Sequence, residues 1–304
     1  MKVGFVFSGQ GAQAVGMGKD LFEQLPAAVE IFNKADKILG WSLSDICFNG
    51  PESKLTETRY CQPAIYTMSA ACLEAFKSKN PQIIPAATAG LSLGEFTALY
   101  SAGAFSFESG LRIIEKRAIY MQEACDATKG TMASVMKGEL DAVQECCSRA
   151  GVDVANINSS GQIVISGESA KITEAIAFLK EKGMSKVIPL KVAGAYHSRL
   201  MKPAETKLAE YLVPISFDIP KVSVAQNFTG KLENEPVKMK QNIISQVTGS
   251  VRWVNCVNSI VEVGIDTIIE FGPGNVLTGL IKRIAPNINT INVNSVESLL
   301  NFKI

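Results

Sequence analysis

The most constraining stretch of the sequence is Ala87-Thr88-Ala89-Gly90-Leu91-Ser92-Leu93-Gly94-Glu95-Phe96, where small residues run into Gly-x-Ser-x-Gly and then into a helical pattern. A serine set between a strand and a helix sits on a sharp turn. Glycines on either side leave room for a strained backbone and for the close approach of neighbouring segments. Such a turn lifts the hydroxyl out of the packing. It also aims the N–H of the next residue, Leu93, at the place where an oxyanion would form. A glycine-rich turn with an idle serine satisfies the same five residues, so the functional reading needs partners elsewhere in the chain.

The 304 residues are 47% hydrophobic and 19% charged, enough to bury a full core in one large or two modest domains. A formal charge of +1, without any run of Lys or Arg, argues against nucleic acid as a partner. No leader pattern follows Met1, and no apolar stretch approaches the roughly 18 residues a membrane span needs, so a cytoplasmic protein without membrane contact is expected. The seven cysteines are odd in number and form no Cys-x-x-Cys pair, which fits buried reduced thiols. One histidine excludes a His-rich metal site, and neither metal nor cofactor is expected.

In chain order, the buried-strand run Val3–Phe7 ends in Ser8-Gly9-Gln10-Gly11-Ala12-Gln13. Gly9, Gly11 and Ala14 match a dinucleotide fingerprint, but the acidic residue expected about 20 positions on is missing and 26–39 reads as helix. The alternative is that the loop brings the Gln10 N–H beside Ser92 as a second oxyanion donor. A long apolar helix over 62–78 leads into the strand before Ser92, and another over 107–124 follows. This alternation predicts an α/β fold with a largely parallel sheet. Residues 126–191 change rhythm to strand, helix, strand, strand, helix, strand. That is a ferredoxin-like pattern inserted between 1–125 and 192–304. Asn158 and Gln162, linking its middle strands, read as turn residues. The region from Asn227 to Lys240 reads as loose, with a helix to about 246, a second starting at Arg252-Trp253, the strand Thr267–Phe271 and a helix over 276–284.

Two residues break their local pattern. Arg117 lies on the apolar stripe of Phe107, Leu111, Ile114, Ala118 and Met121, so its head either snorkels to water or needs a buried anion. His197, the only histidine, opens a helix after Gly194-Ala195-Tyr196. It is the one side chain whose ordinary pKa lets it take a serine proton near pH 7, although a structural histidine is the alternative.

The motifs Gly9-Gln10-Gly11-Ala12-Gln13, Gly90-Leu91-Ser92-Leu93-Gly94-Glu95, Arg117, Gly194-Ala195-Tyr196-His197-Ser198 and Glu270-Phe271-Gly272-Pro273-Gly274-Asn275-Val276-Leu277 occur in an order and spacing that resembles the malonyl-CoA:acyl-carrier-protein transacylase family over nearly the whole chain. The resemblance implies an α/β-hydrolase-like large subdomain with an inserted ferredoxin-like one. It implies a monomer that passes malonyl from CoA to acyl carrier protein through a malonyl-serine, in fatty acid synthesis. Ser92 would be the nucleophile and His197 the base, oriented by the backbone carbonyl of Gln246. The N–H groups of Gln10 and Leu93 would form the oxyanion hole. Arg117 would hold the malonyl carboxylate, with Tyr196, Met121 and Asn158 completing the substrate site. Leu91 stands where the family usually has His, as in stand-alone polyketide acyltransferases. Tyr196 stands where Phe is common and Arg199 where Pro is common. A polyketide acyltransferase, an editing acyl hydrolase and a non-catalytic docking module are the alternatives. Lys186, Lys191, Arg199 and Lys202 flank the His197 loop as candidate contacts for an acidic carrier.

Overall fold

The computed structural model describes residues 2–303. In chain order its strands are β1 (Val3–Phe7), β2 (Ala87–Gly90), β3 (Gly130–Met136), β4 (Asp153–Ser159), β5 (Gln162–Glu168), β6 (Val187–Pro189), β7 (Ser223–Gln226), β8 (Lys231–Glu233), β9 (Thr267–Phe271) and β10 (Asn289–Val293). They form a six-stranded sheet in the order β10-β9-β1-β2-β7-β8 and a four-stranded sheet in the order β4-β5-β3-β6.

All pairs of the larger sheet are parallel except β7 with β8. β1 and β9 are buried along their whole length, as strands covered on both faces are, and the one carboxylate there, Glu270, is held by the N–H groups of Leu277 and Thr278. On one face packs the helix Thr58–Lys79, buried on nearly every side. Its Phe76 meets Phe271 with ring centroids 5.1 Å apart, and Phe271 meets Phe5 at 4.9 Å. On the other face lie Trp253, Val257, Ile260, Leu277 and Ile281, from the helices Trp253–Glu262 and Val276–Ile284.

This topology places the site. β1 is central, and the chain adds β2 on one side and β9 on the other, so the order reverses at β1. In such sheets ligands bind beyond the carboxyl ends of the strands at the reversal. Phe7 pairs with Gly90, so the loop after β1 and the turn after β2 leave the sheet side by side.

The smaller sheet is antiparallel and covered on one face by the helices Leu140–Ala150 and Ser169–Glu181. Met132, Ala155 and Val164 on its other face join the main core. β4 is also tied to the segment after Gln246: Val251 N donates to Ala155 O at 2.8 Å and Ile157 N to Val251 O at 2.9 Å.

Several expectations are corrected. The stretch read as loose contains β8 and the first half of the helix Pro236–Ser245, and β7 and β10 had no sequence signal. β8 and β10 are the sheet edges, half exposed and polar, so neither shows the apolar run of a buried strand. Asn158 belongs to β4 and Gln162 opens β5, so neither is a turn residue. All seven cysteines are buried and unpaired, as read from their number and spacing. Among the described residues, no helix is long and apolar enough to cross a membrane, and no cluster of three or more His, Cys, Asp or Glu could hold a metal.

Candidate active site

Ser92 and His197 both have left-handed backbone, with φ of 53° and 55°. For non-glycine residues this costs on the order of 1–3 kcal/mol each and persists only where the surroundings over-determine it. At Ser92 the surroundings are tight: a Cβ on Gly90 would sit 2.0 Å from Gly94 O, and one on Gly94 would sit 2.2 Å from Phe7 O. The turn leaving β2 is therefore pressed against β1 with no space for a side chain at either glycine. Asn227 at the end of β7 pins the turn. Its Oδ1 accepts from Ser92 N at 2.6 Å and its Nδ2 donates to Gly90 O at 2.8 Å.

The Ser92 Oγ lies 2.7 Å from His197 Nε2, and His197 Nδ1 lies 2.8 Å from the backbone oxygen of Gln246. A carbonyl only accepts, so Nδ1 carries the proton and Nε2 offers its lone pair to the Ser92 hydroxyl. Burial, reinforced by the charge of Arg117, lowers His197 to about 4, so the ring is neutral at pH 7. Such a pair can take the serine proton as the oxygen bonds to a carbonyl carbon. Among the described residues the N–H groups of Gln10 and Leu93 have no intramolecular acceptor; Gln10 lines the same cavity as Ser92, and Leu93 caps the helix Gly94–Ala102.

Arg117 is 1% exposed, so the snorkelling alternative is ruled out. Its Nη1 donates to Gln62 Oε1 at 2.7 Å, and its Nη2 donates to Ser92 Oγ at 3.1 Å and to Gln246 Oε1 at 3.0 Å. The Nε has no partner, and the ring of Phe96 lies 5.4 Å from the guanidinium carbon. Every hydrogen-bond acceptor is neutral. Burial lowers Arg117 to about 10 and the charge of nearby Glu95 pulls it back up, which leaves it a cation at pH 7. A desolvated guanidinium in contact with no anion, beside a reactive hydroxyl, is suited to receive a carboxylate.

These groups open into a cavity of about 570 Å³ between the two sheets, lined by Gln10, Ser92, Met121, Asn158, Tyr196 and His197 among others. Of the nine residues singled out in the sequence, Gln10, Ser92, Met121, Asn158, Tyr196 and His197 line this cavity, Arg117 and Gln246 are joined to Ser92 and His197 by hydrogen bonds, and Leu93 follows Ser92 at the start of its helix. The Tyr196 hydroxyl is held by Thr58 Oγ1 at 2.5 Å, away from Ser92. Asn158 Oδ1 is buried without a partner. Sequence reasoning missed Gln62, Asn227 and the working side chain of Gln246, since an amide carries no local motif. Two of the four candidate carrier contacts are already engaged: Arg199 is bound in two places to Asp153, and Lys202 reaches Glu205 at 2.5 Å. Lys191 lines the cavity.

Residues 4–297 match the acyl transferase domain family. The malonyl CoA-acyl carrier protein transacylase of Bacillus subtilis is 40% identical over 98% of this chain and 95% of its own length. An acyl carrier protein S-malonyltransferase from Vibrio cholerae superposes with a TM-score of 0.96 at 37% identity, covering all of both chains. A malonyl-transacylase solved in complex with a type II polyketide acyl-carrier protein superposes with a TM-score of 0.94 at 34% identity, over 99% of this chain and 98% of that one. With a Gly-x-Ser-x-Gly turn, its histidine and a buried arginine set at the reversal of a parallel sheet, the chain belongs to the acyl transferase domain family, in its malonyl CoA-acyl carrier protein transacylase branch.

Proposed function

We propose that this chain transfers a malonyl group from malonyl-CoA to the phosphopantetheine thiol of acyl carrier protein in fatty acid biosynthesis. The observation that carries the substrate class is Arg117, a buried cation whose contacts are all neutral and which donates to Ser92 Oγ at 3.1 Å. An acyl group esterified on Ser92 brings its own β-carboxylate within reach of that guanidinium, where a planar fork can bind it in two places.

His197 Nε2 takes the Ser92 proton as Oγ bonds to the thioester carbon, with the developing oxyanion facing the N–H groups of Gln10 and Leu93. The C–S bond then breaks, and the thiolate leaves as CoA thiol with the proton held by His197. In the second half the carrier thiol gives its proton to His197 and attacks the malonyl ester, returning Ser92 to its hydroxyl. The Gln246 carbonyl holds Nδ1–H throughout. Asn158, with its orphaned acceptor in the cavity wall, fits an amide N–H of the pantetheine arm, which CoA and carrier share. Met121 and Tyr196 border the acyl group.

The finer architecture is part of the same reading: an α/β-hydrolase-like portion of residues 1–125 and 192–304 around a ferredoxin-like insertion of 126–191. The strand order β4-β5-β3-β6, with helices joining β3 to β4 and β5 to β6, supports it. The test is mass measurement after incubation with malonyl-CoA. A malonyl adduct on Ser92 that carrier protein removes supports the transfer. Hydrolysis at the same rate without carrier would indicate a hydrolase, and no adduct would indicate a docking module.

A further inference from the structure

Glu95 lies in the first turn of the helix after Ser92, wholly buried, and touches neither Ser92 Oγ, His197 nor Arg117 by hydrogen bond. Its carboxylate nevertheless receives three donors. Oε1 accepts from Gln226 Nε2 at 3.0 Å, while Oε2 accepts from Asn227 N at 2.7 Å and from Gln246 Nε2 at 2.9 Å. Two of those residues hold the working groups. The Asn227 side chain fixes Ser92 N and Gly90 O. Gln246 offers its backbone oxygen to His197 and its Oε1 to Arg117, and its Nε2 also donates to Ser92 O at 3.0 Å.

The amide of Gln246 can play this part in only one orientation. With Nε2 toward Glu95 and Ser92 O, its Oε1 faces the Arg117 guanidinium; turned over, it would set NH₂ against a cation and an oxygen against two acceptors. Gln226 is equally committed, with Oε1 accepting from Asn242 Nδ2 at 2.7 Å and Nε2 also donating to Met239 O at 3.1 Å. Every neighbour within hydrogen-bond distance of Glu95 is thus a donor, so a protonated carboxyl would leave its own O–H without an acceptor, whereas the ionised form is matched on both oxygens.

We propose that Glu95 is a positioning residue for acyl transfer, its charge fixing Gln246 and Asn227 so that Arg117, His197 and Ser92 share one geometry. The proposal rests on the function proposed above. It gives a buried acid a role that a helix start does not require. The charged and titratable groups that feel it are Arg117 and Cys256.

The experiment compares wild type with Glu95→Gln, Glu95→Asp and Gln246→Met at pH 8, above the value of about 7 to which burial raises Glu95. Single-turnover acylation is followed with malonyl-CoA and acetyl-CoA and normalised to the folded fraction. Glu95→Gln turns an NH₂ toward a donor. It should slow acylation by both substrates and lower the malonyl-to-acetyl ratio roughly tenfold, the loss of one hydrogen bond to a charged group. Gln246→Met keeps the backbone carbonyl and removes the side-chain bonds to Arg117, Ser92 O and Glu95, so it should lower the ratio with a smaller effect on acetyl. The double variant should lose no more selectivity than the worse single one, since both act through the same contact. Glu95→Asp keeps the charge and should recover part of the ratio. A Glu95→Gln protein that melts earlier but keeps the wild-type ratio and rate per folded site would overturn the proposal. If that variant does not fold, a wild-type ratio in Glu95→Asp and Gln246→Met together would overturn it. Wild type without a malonyl adduct would instead defeat the functional reading itself.

Discussion

Replacing Arg117 with alanine isolates the claim about substrate class. The guanidinium makes three hydrogen bonds, at 2.7, 3.1 and 3.0 Å, all to uncharged oxygens. Its removal strips a bound malonyl carboxylate of its partner in a cavity walled by Met121 and Leu91, whereas an acetyl group loses nothing of the kind. A hydrogen bond to a charged group contributes about 1.5–3 kcal/mol, and 1.36 kcal/mol is a factor of ten, so malonyl acylation should fall at least roughly tenfold to hundredfold relative to acetyl. A second effect runs the same way. The charge of Arg117 helps hold His197 down at about 4, and without it the ring becomes a stronger base, which favours acetyl transfer. In wild type a malonyl carboxylate offsets that charge on binding, so part of the malonyl preference should appear in kcat and not only in KM. The assay is the ratio of single-turnover acylation rates with malonyl-CoA and acetyl-CoA. Arg117→Lys, which keeps charge but not the fork, should retain part of the preference. An unchanged ratio in Arg117→Ala, in protein of normal melting behaviour, would refute the carboxylate role.

Ser92→Ala should form no malonyl adduct and keep its fold, as judged by mass measurement and circular dichroism; labelling at another residue sinks the nucleophile assignment. His197→Ala should slow both loading from CoA and unloading to carrier, and a defect in only one half-reaction would mean that the base changes between steps. Stability against pH separates two buried groups of opposite sign. His197, lowered to about 4 in the fold, contributes stability above its unfolded value that is lost as pH falls through about 4; Glu95, raised to about 7, favours the fold when protonated and loses that contribution as pH rises through about 7. Denaturant titrations should therefore show Glu95→Gln gaining stability relative to wild type as pH rises from 4.5 to 7 and His197→Ala losing it as pH rises from 4 to 6.5, and parallel curves would contradict both shifts. Asp153→Asn should change acylation less than threefold, because the Arg199 side chain it pairs with is 61% exposed and such pairs contribute about 1 kcal/mol or less; a larger loss would show that this pair holds the His197 loop.

Gln246 shows where reading along the chain stops. The resemblance assigned its backbone carbonyl to His197, and that contact is present at 2.8 Å. On that basis alone, truncating the side chain would be nearly harmless. The side chain, however, binds Arg117, Ser92 O and Glu95 at once, which predicts a loss of selectivity. A backbone contact depends only on where the chain passes; the direction of an amide depends on every neighbour, and those neighbours lie 129 to 154 residues away in sequence.

The sequence by itself determined what local physics encodes. Apolar runs and helical periodicity specified β1, β2, β9 and the large helices. Two glycines bracketing Ser92 specified a turn without room for a side chain, and a cation on an apolar stripe marked Arg117 as exceptional, though its burial was decided only by the structure. The polar edge strands β8 and β10 escaped, because an edge needs no apolar run and is held by pairing with a partner far along the chain. Only the tertiary structure decided that Asn227, in a stretch read as loose, pins Ser92, that Asn158 faces a cavity from a strand, and that Arg199 and Lys202 spend their charges on Asp153 and Glu205. Hydrogen bonds and ion pairs act over about 3 Å between groups far apart in sequence, so their partners exist only after the sheet has chosen its strand order.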